Sequence, residues 1–516
     1  MKVKKNHIAL FILFIVTIIF YSAFHLYSAA SVKQLLEKAA YQDEMLEFYH
    51  GFDQGSYHRD LLESTFTHLP LQFASNVYYV DNNGEIIELD CYRKFTKEDS
   101  AREYIQQSGA LLKKEILPDM NTIGKDFLRD NHITALQTWQ SLPWSAEYDT
   151  TLFEQFIYPY RIFNELLTPG WRHYLQQKYT AYLDTILDKN INNPVTVCDT
   201  VNSLLKTNFK FSDVSMAYPI SQDIHELEKT RQGSCDDLVI YTSLVMRSLG
   251  LPVGRDFTPH WAHTYGRHSW NFILDTEGQS HYFQGAEFNT YEHKLGSEYK
   301  DHFRIPKVYR NVFFSAQEAL NPQEFSGLPL FFYQSNIADV SDNYGQTSDL
   351  NLQLDINKEI DIAFLAVYND SWQPVAYAKK ENDKYTFRKM IRDVLYLPMV
   401  MQDNHLQPAA APFYLKADGD TIVFSPGSEI TYQAKYYNRF ERGDQVAPQD
   451  EEIYMVSYWD NGWQGNYTTA ATQSVDGNTI TMKVPQGALY RIHNTGLATR
   501  RSRPFYIQEN KEQYYF

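Results

Sequence analysis

The stretch Arg231-Gln-Gly-Ser-Cys235-Asp-Asp-Leu-Val-Ile-Tyr-Thr-Ser-Leu-Val-Met-Arg-Ser-Leu-Gly250-Leu-Pro252 restricts the fold more than any other. Gly233 and Ser234 make a turn. From Cys235 onward, Leu238, Val245 and Leu249 fall on one helical face, with Val239 and Met246 beside it. Gly250 suits the left-handed residue just past a helix end, and Pro252 prevents continuation. The spacing predicts a helix that starts at or next to Cys235 and stops at a defined place. A second informative segment follows. Trp270, Phe272 and Leu274 alternate with Ser269 and Asn271, as in a half-buried strand. Asp275-Thr-Glu-Gly278 is a turn, and His281-Tyr-Phe-Gln284 is its return strand. His268 stands at the start of the first strand.

A thiol at a helix start has chemical consequences. The thiolate is the nucleophile, and a free thiol is mostly protonated at neutral pH. The positive end of the helix dipole favours the thiolate, and unpaired backbone N–H groups there can steady an oxyanion. Asp236 and Asp237 work the other way by adding negative charge. A base is therefore needed, and a hairpin packed on the helix start would bring the His268 imidazole to Cys235. His260, His263 and His268 with Cys235 also invite a metal reading. Their loop setting and the lack of a closely spaced ligand pair argue against it, so neither metal nor organic cofactor is expected.

The rest of the chain sets the context. Lys2, Lys4 and Lys5 precede an apolar run from Ile8 to Phe20, and no charged residue follows until Lys33. That gap is long enough to cross a bilayer, which takes about 20 apolar residues. The lysines would stay in the cytoplasm and the rest of the chain outside. Ser28-Ala29-Ala30 equally fits a signal-peptide cleavage site. Either way residues 1–30 export the chain to the periplasm or cell surface. The net charge of −16 argues against nucleic acid as a partner. Three cysteines rule out a disulfide scaffold, although a Cys91–Cys198 bridge would leave Cys235 free.

The expected class is α+β. Residues 31–190 read as mainly helical, interrupted by a hairpin at Asn76–Leu89. Residues 191–310 mix the Cys235 helix with hairpins. Residues 311–425 and 426–516 read as two β-sandwich domains. Tyr368-Asn-Asp-Ser-Trp372-Gln373 matches Trp459-Asp-Asn-Gly-Trp463-Gln464 at an offset of 91, and Val394-Leu-Tyr-Leu397 parallels Ala488-Leu-Tyr-Arg491, which suggests a tandem repeat. Trp372 and Trp463 also raise the idea of sugar stacking, against the plainer role of packing tryptophans.

Gly233-Ser-Cys235, Leu249-Gly-Leu-Pro252 and His268-Ser-Trp270 match, in order and spacing, the transglutaminase-like superfamily of papain-like thiol enzymes. More loosely, the chain resembles exported multidomain transglutaminase-like proteins of Bacteroidetes-type bacteria. Pro159-Tyr-Arg161 with Glu165, Lys307-Val-Tyr-Arg310 and Trp372-Gln-Pro-Val375 contribute to this wider likeness. The core resemblance covers about residues 190–310. It implies a papain-like fold in which Cys235 attacks a peptide or carboxamide carbonyl and His268 moves the proton. The activity would be that of a thiol protease, an amidase or deamidase, or an amide cross-linking acyltransferase. A peptide, protein or glycopeptide would be the substrate.

The family places an Asp about 16 residues after the His, and here that position is Gln284. An amide can accept a hydrogen bond from imidazole but brings no charge. Glu287, three residues on, is the alternative orienting group. Asp275, in the turn at the far end, is a poorer one. The substitution leaves a second expectation open: a catalytically inactive scaffold that binds a polysaccharide, peptide or protein partner.

Overall fold

The computed structural model describes residues 33–34, 36–263, 266–290, 292, 304–356, 359–435, 453–474, 477–494 and 503–516. The segment expected to anchor or export the chain, residues 1–30, lies outside them. Among the described residues no helix is long and apolar enough to cross a membrane. The architecture is mixed α+β.

The N-terminal region holds helices α1 (Gln42–His50), α2 (Tyr57–His68), α3 (Glu98–Ser108), α4 (Lys125–Ser141) and α5 (Trp171–Asp188). It also holds a three-stranded antiparallel sheet in the order β2–β1–β3, made of β1 (Phe73–Val80), β2 (Ile86–Ile87) and β3 (Leu111–Pro118). The expected hairpin corresponds to β1 and β2, with Tyr79 opposite Ile87. Strand β3 was not expected from sequence. Leu111-Leu-Lys-Lys-Glu-Ile has no period-two alternation because both of its faces are exposed.

The central unit contains α6 (Pro194–Asn208), α7 (Ile224–Thr230) and α8 (Cys235–Ser248). Its antiparallel sheet has the order β8–β7–β4–β5–β6, formed by β4 (Val253–Thr258), β5 (His268–Leu274), β6 (Ser280–Phe283), β7 (Tyr309–Asn311) and β8 (Ile337–Asp339). The sheet thus runs past residue 310, where the central domain was expected to end. A three-residue strand such as β8 leaves no readable period. Ten of the fourteen residues of α8 are buried, so it is a central helix and not the one-faced helix its pattern suggested. Leu175, Val201, Leu244, Val245 and Leu249 share its core. Each such side chain contributes roughly 1.5–3 kcal/mol by leaving water. The helix ends on Gly250, at φ +74°, where an added Cβ would lie 2.4 Å from Ser145 Oγ.

Two arginines that have no carboxylate partner among the described residues hold this unit together. Arg172 donates to the carbonyls of Ile157 (3.0 Å), Tyr158 (3.2 Å) and Arg247 (2.9 Å). Arg247, in the last turn of α8, donates to those of Pro159 (3.1 Å), Arg161 (2.9 Å) and Val253 (2.8 Å). Both are buried, and burial pushes each guanidinium down to about 9. Next to them, Arg161 grips Asp119 through two hydrogen bonds, Nε–Oδ2 at 2.8 Å and Nη2–Oδ1 at 2.5 Å.

The C-terminal part is two antiparallel sheets with the same strand order. The first contains β9 (Thr347–Leu352), β10 (Ile362–Asn369), β11 (Ser371–Glu381), β12 (Lys384–Ile391), β13 (Val394–Gln402), β14 (Phe413–Leu415) and β15 (Thr421–Val423), with a short side strand, His405–Pro408, paired to β13. The second contains β16 (Glu429–Lys435), β17 (Ile453–Trp459), β18 (Trp463–Ser474), β19 (Gly477–Pro485), β20 (Tyr490–Asn494), β21 (Phe505–Ile507) and β22 (Gln513–Tyr515). Their orders are β9–β12–β11–β10–β13–β14–β15 and β16–β19–β18–β17–β20–β21–β22. The sequence repeat maps onto this. Val367 pairs with Gln373 as Tyr458 pairs with Gln464, and a bulge follows Leu365 as one follows Val456. Trp372 and Trp459 meet edge to face at 5.4 Å, so these tryptophans pack the two sheets together. Cys91 and Cys198 are buried free thiols, and the bridge considered from sequence is not formed.

Replacing Gly250 by Ala should lower the melting temperature of the central unit, because φ is unfavourable and Ser145 blocks the methyl group. The cost is about 1–3 kcal/mol, measurable by differential scanning calorimetry. An unchanged transition would show that the α8 terminus yields freely.

Candidate functional site

The start of α8 is fixed by a capping box. Ser234 Oγ accepts the Asp237 N–H (3.2 Å), and Asp237 Oδ2 accepts the Ser234 N–H (2.8 Å). Upstream, Lys210–Phe211 pair in parallel with Gln232–Gly233 and hold the approach to the cap. A Cβ on Gly233 would meet that of Asp237 at 2.7 Å, so only glycine lets the capping carboxylate fold back. Burial pushes Asp237 up to about 6.

Cys235 follows the cap, half-buried. Burial, and after it the neighbouring Asp236 carboxylate, pushes the thiol up to about 11. The neighbouring Ser269, through its hydroxyl and its amide, acts in the opposite direction. Burial alone would also neutralise Asp236. Arg255 (Nε and Nη2 both 2.8 Å away) and Arg267 (3.6 Å) outweigh it and hold that carboxyl far below the usual range. Ser269 Oγ donates to Asp236 Oδ1 at 2.7 Å. The hydroxyl thereby ties the start of β5 to the Asp236–Arg255 pair beside the thiol. Arg255 is stacked between Phe163 and Phe257, 4.2 and 4.6 Å from the ring centres.

His268 opens β5 and lines the same cleft as Cys235, a space of about 990 Å³. Neighbouring side chains of a strand point to opposite faces. Ser269 points at α8, and the His268 ring stacks on Trp261 (5.7 Å, 25°) with Trp270 at 5.9 Å. Asn369, at the end of β10, pins the loop before it: its Nδ2 donates to the carbonyls of Trp261 and Gly266 (both 2.9 Å), and its Oδ1 accepts the Gly266 N–H. His260 also lines the cleft, pushed down to about 4 by burial and by Arg267. His263 Nδ1 accepts the Arg304 N–H, so one of its ring nitrogens is engaged.

Of the four expected site residues, the structure brings Cys235 and His268 into one cleft and leaves Gln284 and Glu287 off its wall. The β5–β6 ladder explains this. Asn271 pairs with Phe283, which puts residue 284 level with Trp270, and the chain then turns away through a Gln284–Phe288 bridge. The buried Gln284 amide nitrogen has no hydrogen-bond partner among the described residues. Glu287 sits in that turn, its carboxyl raised by burial. Asp275, in the far turn, pairs with His281 at 2.8 Å. Asn271 instead ties the return segment down: it accepts the Gly285 N–H (2.9 Å) and donates to Val239 O and Ser243 Oγ of α8.

Sequence reasoning missed Ser269, Asn271, Arg255 and Asn369. The first two were read only as the polar face of a strand, Asn369 only as part of the repeat around Trp372, and nothing in the sequence marks Arg255. No known family model matches the chain. A search of curated proteins likewise finds no match.

With the thiol near 11, alkylation of Cys235 by iodoacetamide should rise roughly tenfold per pH unit between pH 7 and 10. Ser269→Ala removes the hydroxyl that favours the thiolate, leaves the amide in place, and should slow alkylation throughout that range. A rate that levels off below pH 7 would mean that a thiolate–imidazolium pair is already formed at rest.

Proposed function

We propose that the chain is a thiol enzyme of the transglutaminase-like kind, with a papain-like central unit and two β-sandwich domains, acting on peptide or carboxamide bonds. The observation that carries this reading is the capped helix start that presents Cys235 to the cleft lined by His268. Cys235 sulfur adds to the carbonyl carbon and gives up its proton to His268. The C–N bond then breaks, and the amine leaves with that proton. Water attacks the thioester next, with His268 as base, and releases the acid and the thiol. Transfer to a second amine in place of water would give cross-linking. The α8 N-terminus supplies free N–H groups toward the oxyanion. The raised thiol fits a mechanism in which substrate or closure of the site brings His268 into play. The lysine-flanked apolar segment at residues 8–20 supports export, and with it extracytoplasmic peptide, protein or glycopeptide substrates.

A scaffold without turnover is the second reading. It is favoured by the absence of Gln284 and Glu287 from the cleft wall and by a thiol protonated at rest.

A library of peptides and glutamine amides, incubated with the native chain and with Cys235→Ala and read by mass spectrometry, separates the two. Cleavage or deamidation that falls by a factor on the order of 10³ in the variant supports the enzyme. No conversion by the native chain, together with a pull-down partner retained by Cys235→Ala, supports the scaffold.

A further inference from the structure

The cleft has a second wall that the thiol chemistry does not use. Strand β3 is the edge of its sheet, and among the described residues no strand pairs with its outer side. It is eight residues long, about 27 Å at roughly 3.4 Å per residue. Leu111, Leu112 and Ile116 are 51, 49 and 48% exposed, an unusual density of bare aliphatic side chains on one strand. Long, uncovered apolar edges are normally blunted, because their open N–H and C=O groups recruit another strand. Leu112 and Lys114 line the cleft together with Cys235, as does Val77, which faces Lys114 across the ladder.

We infer that β3 is the docking edge for an extended stretch of a polypeptide substrate, which adds as a further strand and so lies along the thiol cleft. This rests on the thiol reading of the cleft and narrows its substrate to unfolded or extended protein segments. The edge offers main-chain hydrogen bonds, which a polypeptide can match along its length and an isolated amide or a sugar cannot. Lys113 and Lys114 select the occupant further. Against the single Glu115 they leave the edge with a net positive charge, which favours a neutral or acidic strand.

The test uses the full chain carrying Cys235→Ala, immobilised, with a pool of randomised ten-residue peptides that share a central glutamine. A control pool carries backbone N-methyl groups at every second residue. Retained peptides are counted by mass spectrometry. The expected result is at least tenfold less retention of the methylated pool, a similar loss with Leu112→Glu/Ile116→Glu, and enrichment of acidic peptides. Both positions are exposed, and circular dichroism confirms that the double variant is folded. Equal retention of the two pools, retention unaffected by the double substitution, or no retention at all overturns the inference. So does a dimer on size exclusion that the double substitution dissociates, because the edge would then belong to a second copy. Methyl-sensitive retention without turnover by the native chain keeps the docking edge and removes the thiol chemistry. Turnover of small glutamine amides at the rate of peptides keeps the chemistry and removes the edge.

Discussion

The irregular segment from Ile157 to Arg161 runs through the interior, and its carbonyls have no helix or sheet to satisfy them. Leaving such groups bare inside a protein costs about 1–3 kcal/mol each. Arg172 and Arg247 solve this by donating to Ile157, Tyr158, Pro159 and Arg161 together. One arginine begins α5 and the other ends α8, so the solution also fixes how those helices cross. The far end of α8, carrying the capping box and Cys235, is aimed as a result. The buried Asp119–Arg161 pair and the Glu165 carboxylate, which accepts the Ile162 and Phe163 amides, continue the arrangement to the cleft wall.

The electrostatics of the cleft follow from this burial. A desolvated thiol beside a carboxylate is held in its neutral form, and the carboxylate is kept ionised by Arg255 and Arg267. The sequence places Cys235 at a helix start, which favours the thiolate, beside aspartates that oppose it in part. In the folded site burial and the Asp236 carboxylate, which Arg255 and Arg267 hold in place, raise the thiol.

What was legible in the sequence was local. The Gly233-Ser234 turn, and Gly250 with Pro252, mark the two ends of α8, and Trp270 to Leu274 mark β5 by alternation. The repeat around Trp372 and Trp463 was legible because a turn of special shape needs the same residues twice. What stayed hidden was set by pairing at long range. Gln284 lies at the spacing of an orienting residue, yet the ladder places it beside Trp270. Arg255 reaches Asp236 from a strand whose sequence gives no hint of it, and Asn369 arrives from a sheet about a hundred residues downstream. Strand β3 was missed because alternation reports burial on one face, and β3 has neither face buried.

Asn369 has a consequence for how this chain can be divided. Its three hydrogen bonds fasten Trp261 and Gly266, just ahead of His268 at the start of β5. The residue belongs to the first C-terminal sheet and sits in one copy of the duplicated hairpin, whose counterpart packs behind it through Trp459. A fragment cut near residue 310 would therefore lose both β8 and this clamp. The smallest autonomous unit of the cleft spans the boundary that composition draws, and the duplicated sheets are part of its frame.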